Sequence, residues 1–289
     1  MRMLSHFALL AALVAIVVAC AAPGPTGTPS PTPVGFGRIE HPTGATDIVL
    51  RYDEGGGFIG PAFFATHVPI FTLYGDGTVL VRNPLKDPLP AVGNLMPQRP
   101  LRIVRLSEEQ IQATLIFAIG EGGLGTARLD YGNDRIADAS TATFTLNAGG
   151  LEKRVSVYAL GLDVPGMPDA LPRAAFARLA ARLADFGQDG TLATQDYVPE
   201  RYRGILLDGQ PGDPATKPWP WDDVKPSDFV APSHPAGIGL PSHVLTVAQV
   251  EALGIGPYPG GFGGLTLGGA DEGTFYSFSL RPLLPDEAE

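Results

Sequence analysis

Residues 141–160 read TATFTLNAGGLEKRVSVYAL, and this stretch decides the fold class of the chain. Threonine or asparagine alternates with apolar residues over 141–147, and residues 154–160 form a second run that contains two valines and a tyrosine. Between the two runs, Gly149 and Gly150 permit the positive φ angles that a tight turn needs. The stretch therefore predicts an antiparallel hairpin with one face on the core and the other in water.

A second hairpin is predicted from residues 67–82. HVPIFTLY at 67–74 and TVLVR at 78–82 flank Gly75-Asp76-Gly77. An Asp-Gly pair between β-rich runs is a strong hairpin signal, because the turn needs positive φ. Residues 47–52 (DIVLRY) predict a further strand, and the proline-rich residues 83–100 predict a long loop.

Capping chemistry marks the start of the first helix. Ser107 as N-cap and Gln110 at the third helical position form a capping box, and Leu106 and Ile111 are placed for a hydrophobic staple. A second helix is predicted over residues 170–186. Its predicted buried stripe is Phe176, Leu179, Ala180 and Leu183, with Arg173, Arg178 and Arg182 elsewhere on its surface.

The C-terminal third of the chain has fewer regular elements. Residues 202–207 and 274–280 predict strands, and a capping box at Thr246 opens a short helix. The proline-rich residues 208–242 and the glycine-rich residues 255–269 predict loops.

The predicted strands come as hairpins and do not alternate regularly with helices. This order predicts an α+β fold, with one or more antiparallel, hairpin-rich sheets, two to three helices and long Pro/Gly-rich loops. We expect a main α+β body at 36–190 and a loop-rich C-terminal part at 191–289. That C-terminal part either folds by itself or continues the first sheet.

The N-terminus has the pattern of a secretory signal peptide. Arg2 precedes an unbroken apolar run at residues 7–18, which as a helix spans only about 18 Å, too short for a bilayer core of about 30 Å. We therefore interpret residues 1–19 as a signal peptide. Residues 20–35 are rich in Pro, Gly and Thr without a charged residue, and predict an extended spacer.

Val17-Val18-Ala19-Cys20 resembles the lipobox of bacterial lipoproteins. The resemblance implies diacylglycerol on the Cys20 sulfur, cleavage before Cys20 and a fatty acyl group on the new N-terminus. It places the chain outside the cytoplasm, anchored to a bacterial membrane, and it implies no activity. The alternative is ordinary secretion, with cleavage after Ala19 or Ala22. The globular part resembles that of other secreted lipoproteins and points to no family of known activity.

Composition excludes some partners. The chain of 289 residues carries a net charge of −10, whereas nucleic acids and anionic lipid heads are bound by basic patches. Cys20 is the one cysteine, so an internal disulfide is excluded. The expected partners are the membrane, through the lipid on Cys20, and an envelope ligand or a protein.

Two motifs fail when their context is considered. Gly120, Gly122 and Gly125 match the letters of a dinucleotide fingerprint, but they follow a predicted helix, whereas the fingerprint must follow a strand and open a helix. The alternative, a helix C-cap and loop, is favoured. His41, His67, His234 and His243 have no standard zinc spacing, so we predict no metal and no cofactor.

Three sets of side chains remain as candidate sites. Asp130, Asp134 and Asp138, with Asn133 among them, are hard oxygen ligands of the kind that Ca²⁺ prefers, although turn formation and solubility are the favoured explanation. The candidates for hydrolytic chemistry on loops are Asp53, Glu54, Asp130 and His67.

Trp219 and Trp221 form the third candidate set, together with the neighbouring Asp222. Alternate rings in an extended segment can make a platform for sugar or peptide. The favoured alternative is that these rings pin a long loop to the core, because such a loop is ordered by buried apolar area.

These features leave three function classes open. The first is a non-enzymatic binding or interaction module, which agrees with the tether and with the lack of a catalytic motif. The second is an envelope hydrolase with its carboxylates and histidine on loops. The third is a structural or assembly accessory. Convergent polar groups in a cleft favour an enzyme, and a flat apolar patch favours a partner.

Overall fold

The computed structural model describes residues 37–58, 60–162, 166–210, 216–231, 239–269 and 273–287. The predicted signal peptide, Cys20 and nearly all of the region before the body lie outside these residues, as does His234. The strands are β1 Ile48–Gly55, β2 Phe71–Tyr74, β3 Thr78–Val81, β4 Met96–Pro97, β5 Arg102–Arg105, β6 Asp130–Tyr131, β7 Thr141–Ala148, β8 Leu151–Tyr158, β9 Gln195–Asp196, β10 Arg201–Asp208, β11 Lys217–Pro218, β12 Ser242–Thr246, β13 Phe262–Gly268 and β14 Phe275–Pro282. The helices are α1 Pro61–Thr66, α2 Glu108–Ile119, α3 Ala170–Ala184 and α4 Val247–Glu251.

The strands form two largely antiparallel sheets within the described residues. The first has the order β6-β8-β7-β1-β2-β3-β5-β9. The second has the order β11-β13-β14-β10-β12, and β4 also pairs with β13. Hairpin-rich antiparallel sheets with a few helices make this an α+β protein, so the predicted fold class is confirmed.

Both predicted hairpins of the first sheet are present. Ala148 pairs with Leu151 across the turn, and Gly149 and Gly150 have φ of 62° and 73°. These angles are those of the two-residue turn that best matches strand twist. In the other hairpin, β2 begins at Phe71, because residues 67–70 instead connect the sheet to α1, a helix that the sequence reading missed.

Helices α2 and α3 cover one face of the first sheet. Ser107 caps α2 by accepting from the Gln110 backbone N–H, and the Gln110 side chain accepts from the Ser107 N–H at 2.8 Å, which confirms the capping box. After α2, the Gly120 N–H donates to the Ile116 carbonyl, so the glycines there end a helix. The core beneath the helices includes Leu50, Tyr52, Phe71, Leu115, Phe144, Val155, Phe176, Leu179 and Leu183.

Arg173 corrects the expectation for α3. Whereas Arg178 and Arg182 are exposed, Arg173 is 0% exposed. Its Nη2 donates to the carbonyls of Tyr158 at 2.7 Å and Ala159 at 3.0 Å, at the end of β8. The guanidinium therefore donates to backbone carbonyls at the end of β8, where strand pairing stops. Helical periodicity does not reveal this role.

The second sheet corrects two predicted loops. Residues 262–268 form strand β13, and the segment predicted as a proline-rich loop contains β11 and ends at Ser242, the first residue of β12. Strand β13 was missed because its glycines hide the alternation of side chains. A Cβ on Gly261 would overlap the Leu280 carbonyl oxygen, and one on Gly264 would overlap that of Asn94. Glycine is needed there because other backbone segments approach so closely.

The C-terminal end packs against the first sheet, where Leu284 joins Tyr74 and Leu80 in a buried apolar cluster. Asp286 accepts from Arg51 Nη2 and from the Tyr74 hydroxyl, each at 2.6 Å. The adjacent Glu287 pairs with Arg281 through two hydrogen bonds of 2.6 Å. These contacts, together with α1 packing on β13 and β14, place the first sheet against the second.

Candidate functional site

A cavity of about 320 Å³ lies where α1, the end of β3 and the segment around β4 meet β13. Its polar lining is Thr66, His67, Arg82, Gln98 and Arg99. Its apolar lining is Phe63, Val68, Met96, Leu101 and Pro282, and Gly260 and Gly263 complete the wall. The cavity therefore depends on residues of both sheets.

Local structure explains how each polar side chain reaches the cavity. His67 directly follows α1, and Arg82 directly follows β3. Gln98 and Arg99 follow β4, which pairs with β13. A Cβ on Gly260 would overlap the backbone of Gln98 and Arg99, so this glycine is what allows the segment to approach.

His67 is held by an acid. Its Nε2 lies 2.7 Å from Asp53 Oδ1, and its ring packs 5.2 Å from the ring of Phe63. Burial acts to raise the pKa of Asp53, but this pKa lies below its ordinary value, first because of the hydrogen bond from His67, and also because of the Glu54 backbone N–H and the charge of Arg82. The Asp53 carboxylate thus fixes the orientation of the imidazole.

The other ring nitrogen of His67 faces Arg82. Arg82 Nη2 lies 3.4 Å from His67 Nδ1 and also donates to the Val68 carbonyl. Because an arginine only donates, this contact needs an unprotonated Nδ1, and the ring proton then lies on Nε2, toward Asp53. Both nitrogens of His67 are therefore engaged.

A buried network behind the cavity balances the charge of Arg82. Glu54 accepts from the Tyr52 hydroxyl at 3.0 Å and from Ser140 Oγ at 2.6 Å. Burial, and next the charge of Glu54, raise the pKa of Tyr52 well above its usual range. Burial lowers the pKa of Arg82, and the nearby charges of Asp53 and Glu54 oppose that change. The Arg82 cation therefore feels the charges of two nearby carboxylates.

Arg99 differs from Arg82 in its surroundings. Its Nε donates to the backbone carbonyl of Asp87 at 2.9 Å. In the described part of the chain, no carboxylate pairs with Arg99, and no Asp or Glu lines the cavity. In a chain of net charge −10, the cavity is thus a local cationic site.

The structure joins two of the four proposed hydrolytic residues. Asp53 binds His67, whereas the Glu54 side chain binds Tyr52 and Ser140, and Asp130 lies elsewhere. It is exposed on the edge strand β6, and β8 and β7 lie between that strand and β1. At about 4.8 Å per strand, this separates Asp130 from Asp53 by roughly 14 Å.

The candidate calcium residues remain apart. Asp130, Asp134 and Asp138 are all exposed, and Asn133 Oδ1 accepts from the Arg135 backbone N–H at 3.1 Å, as in a turn. Throughout the residues whose placement is described, no group of three or more His, Cys, Asp or Glu side chains is arranged to hold a metal ion. Turn formation accounts for these polar residues.

The described histidines also lie at separate places. His41 Nδ1 lies 2.6 Å from the Pro42 carbonyl, beside the N-terminal turn of α2. His243, on β12, packs 5.6 Å from the ring of Phe229 in the second core. His67 is therefore the described histidine that lines the cavity.

The two tryptophans anchor their loop. Trp221 is 6% exposed, and its Nε1 donates to the Gln249 carbonyl at 2.8 Å. Trp219 is half-buried, packs edge-on against Trp221 at 5.1 Å, and donates to the Val224 carbonyl at 2.7 Å. Asp222 is exposed beside them. The rings thus belong to the core of the second sheet and do not present an open platform.

Arg82, Gln98 and Arg99 were not among the residues singled out from the sequence. Arg82 ends a predicted strand, and the other two lie in a predicted proline-rich loop. Only the pairing of β4 with β13 brings them to one cavity.

The chain matches no family model, and neither a curated protein nor a solved structure matches it. Along the described ranges, no helix combines the length and the apolar composition needed to cross a membrane. The geometry of the cavity is therefore the main guide to function.

Proposed function

We propose that this protein is a non-enzymatic binding module, lipid-anchored outside the cytoplasm, that holds a small molecule in the cavity between its two sheets. The observation that carries the proposal is the cavity itself. It gathers His67, Arg82 and Arg99 from separate segments and places them beside an apolar wall. Ligand sites typically combine a mainly apolar lining with a few fixed polar groups, and volumes near 300 Å³ suit small ligands.

The anchor rests on the sequence around Cys20. Two or more acyl chains hold a protein stably at a membrane, whereas one chain does not. A spacer without apolar periodicity suits a body that samples solutes near the membrane surface. The expected readout is loss of fatty-acid labelling in Cys20→Ser.

The hydrolase alternative is favoured by the hydrogen bond between Asp53 and His67. In a nucleophilic site, however, the second ring nitrogen faces the hydroxyl or thiol that it deprotonates. Here that nitrogen faces Arg82, which has no proton to give up at neutral pH. The arrangement therefore suits orientation of the imidazole better than general-base catalysis.

Gly263 offers a direct test of binding. An ideal Cβ there has its nearest neighbours, Met96 Cε and Ser279 Oγ, at 3.8 Å, so a side chain is accommodated and fills space beside Thr66 and Met96. Gly132→Leu is the matched control, because its Cβ would meet nothing within 4 Å. A mixed set of neutral, cationic and anionic small molecules would be screened by ligand-observed NMR against all three proteins.

We expect hits that bind the wild type and Gly132→Leu but not Gly263→Leu, with all three proteins folded by circular dichroism. Hits that bind all three proteins equally, or no hits at all, would contradict the proposal. Turnover of nitrophenyl esters that is lost in His67→Gln would establish the hydrolase instead.

A further inference from the structure

The cavity is lined by both polar and apolar side chains. Thr66, Gln98 and Arg99 offer a hydroxyl, an amide and a guanidinium. Beside them, Phe63 and Met96 are large apolar side chains that remain 42% and 50% exposed. Exposed apolar groups beside convergent polar groups indicate a ligand that has both characters.

The positive charge available to a ligand in the cavity comes from Arg99. Arg82 is an internal structural cation, because it donates to the Val68 carbonyl and its charge is offset by the nearby charges of Asp53 and Glu54. Arg99 uses its Nε on the Asp87 carbonyl, and no described carboxylate neutralises it. Its two terminal nitrogens therefore supply the charge that a ligand meets.

Guanidinium geometry selects the kind of anion. The planar fork of an arginine matches the two oxygens of a carboxylate, and such charge-assisted pairs are stronger than neutral hydrogen bonds. The exposed apolar side chains favour a ligand whose carbon portion covers Phe63 and Met96. A bare inorganic anion leaves these two side chains uncovered.

We infer that the ligand is an organic carboxylate, with its carboxylate on Arg99 and a short apolar or aromatic portion against Phe63 and Met96. The inference rests on the proposed binding function and deepens it. Neutral molecules of the same shape lack the partner for Arg99 and bind less tightly.

Calorimetric titration with benzoate and benzamide tests the inference, since the two probes share a ring and differ in charge. The variant is Arg99→Met, which keeps an unbranched apolar stem and removes the charged guanidinium. The matched control is Arg154→Met, because Arg154 is exposed on β8. Sulfate serves as the inorganic anion.

We expect benzoate to bind the wild type more than about tenfold tighter than benzamide or sulfate, since a charge-assisted pair exceeds a neutral hydrogen bond. Arg99→Met should remove that preference by weakening benzoate and leaving benzamide unchanged, and Arg154→Met should behave as the wild type. Equal affinity for benzoate and benzamide, or an unaltered preference in Arg99→Met, would overturn the inference.

The two proposals fail separately. If neutral or cationic hits are lost in Gly263→Leu and charge has no effect, the cavity binds ligands but the carboxylate class is wrong. If Gly263→Leu loses no hit, the binding function itself is wrong.

Discussion

The glycines of the two sheets serve different purposes. Gly150 in the first sheet has φ of 73°, and a Cβ there would meet nothing within 4 Å. Gly261 in the second part has a similar φ of 82°, but a Cβ there would overlap the carbonyl oxygen of Leu280. Gly150 is required by the turn that contains it. Gly261 is required by its positive φ and also by the close approach of strand β14, which contains Leu280.

The aromatic residues show the same difference. In the first sheet, Tyr52 stacks on Phe144 at 5.0 Å, and Phe144 packs on Phe176, all within regular strands and a helix. In the second, Trp221 comes from a loop and packs 5.6 Å from Phe278. The second sheet thus depends more on residues that lie outside regular strands and helices, so we expect single substitutions to disturb it more.

The largest difference is expected between Gly261→Ala and Gly150→Ala. Both substitutions place a side chain at positive φ, which costs about 1–2 kcal/mol. Gly261→Ala adds the clash with Leu280 and should lower the free energy of unfolding by more than about 4 kcal/mol. Urea denaturation of the two variants measures both values. Equal losses would show that the second sheet tolerates the backbone shift.

Trp221→Ala should have the next largest effect. Truncation of a buried large aromatic costs about 3–5 kcal/mol. Truncation of the half-buried Trp219 should lower the free energy of unfolding by less. Wild-type emission should be blue-shifted and poorly quenched by iodide. Hydrogen exchange in Trp221→Ala should quicken in β10, β13 and β14 more than in β7 and β8, and uniform quickening would contradict the distinction between the sheets.

A smaller, pH-dependent effect is expected at Glu287. Burial acts to raise its pKa, but the hydrogen bonds and charge of Arg281 outweigh it, so the pKa lies below its ordinary value. Such a group stabilises the fold above the unfolded pKa of about 4.3, and this contribution is lost as the pH falls through the folded-state pKa.

Glu287→Gln should therefore lower the free energy of unfolding by about 1.5–3 kcal/mol at pH 7. The difference in free energy of unfolding between the variant and the wild type should shrink toward zero as the pH falls below the folded-state pKa of Glu287. The exposed Glu152→Gln is the control and should show no loss. A constant difference at every pH would mean that the ion pair with Arg281 is not its source.

Local chemistry made much of the first sheet predictable. The Thr and Asn alternation in β7, the two glycines after Ala148 and the capping box at Ser107 each act over a few residues. Strand β13 was not predictable in this way. Gly261 and Gly264 are needed because the carbonyl oxygens of Leu280 and Asn94 approach them closely, and those residues lie elsewhere in the chain.

The same limit applies to the candidate site. Asp53, Glu54 and His67 were singled out as titratable groups, and the structure joins Asp53 to His67. Arg82 and Arg99 carry no local signal, since a cation at the end of a strand or in a proline-rich loop is usually a solvated side chain. Their roles follow from the approach of the β4 segment to Gly260.

Chemical-shift mapping tests the central claim, that both sheets form one binding cavity, most directly. Amide resonances of ¹⁵N-labelled protein would be followed during titration with benzoate. We predict saturable shifts at His67 and Arg82, next to the first sheet, and at Arg99, Gly260 and Gly263, in or next to the second. Shifts centred on Trp219 and Trp221, shifts confined to one sheet, or the absence of saturable shifts would contradict the account.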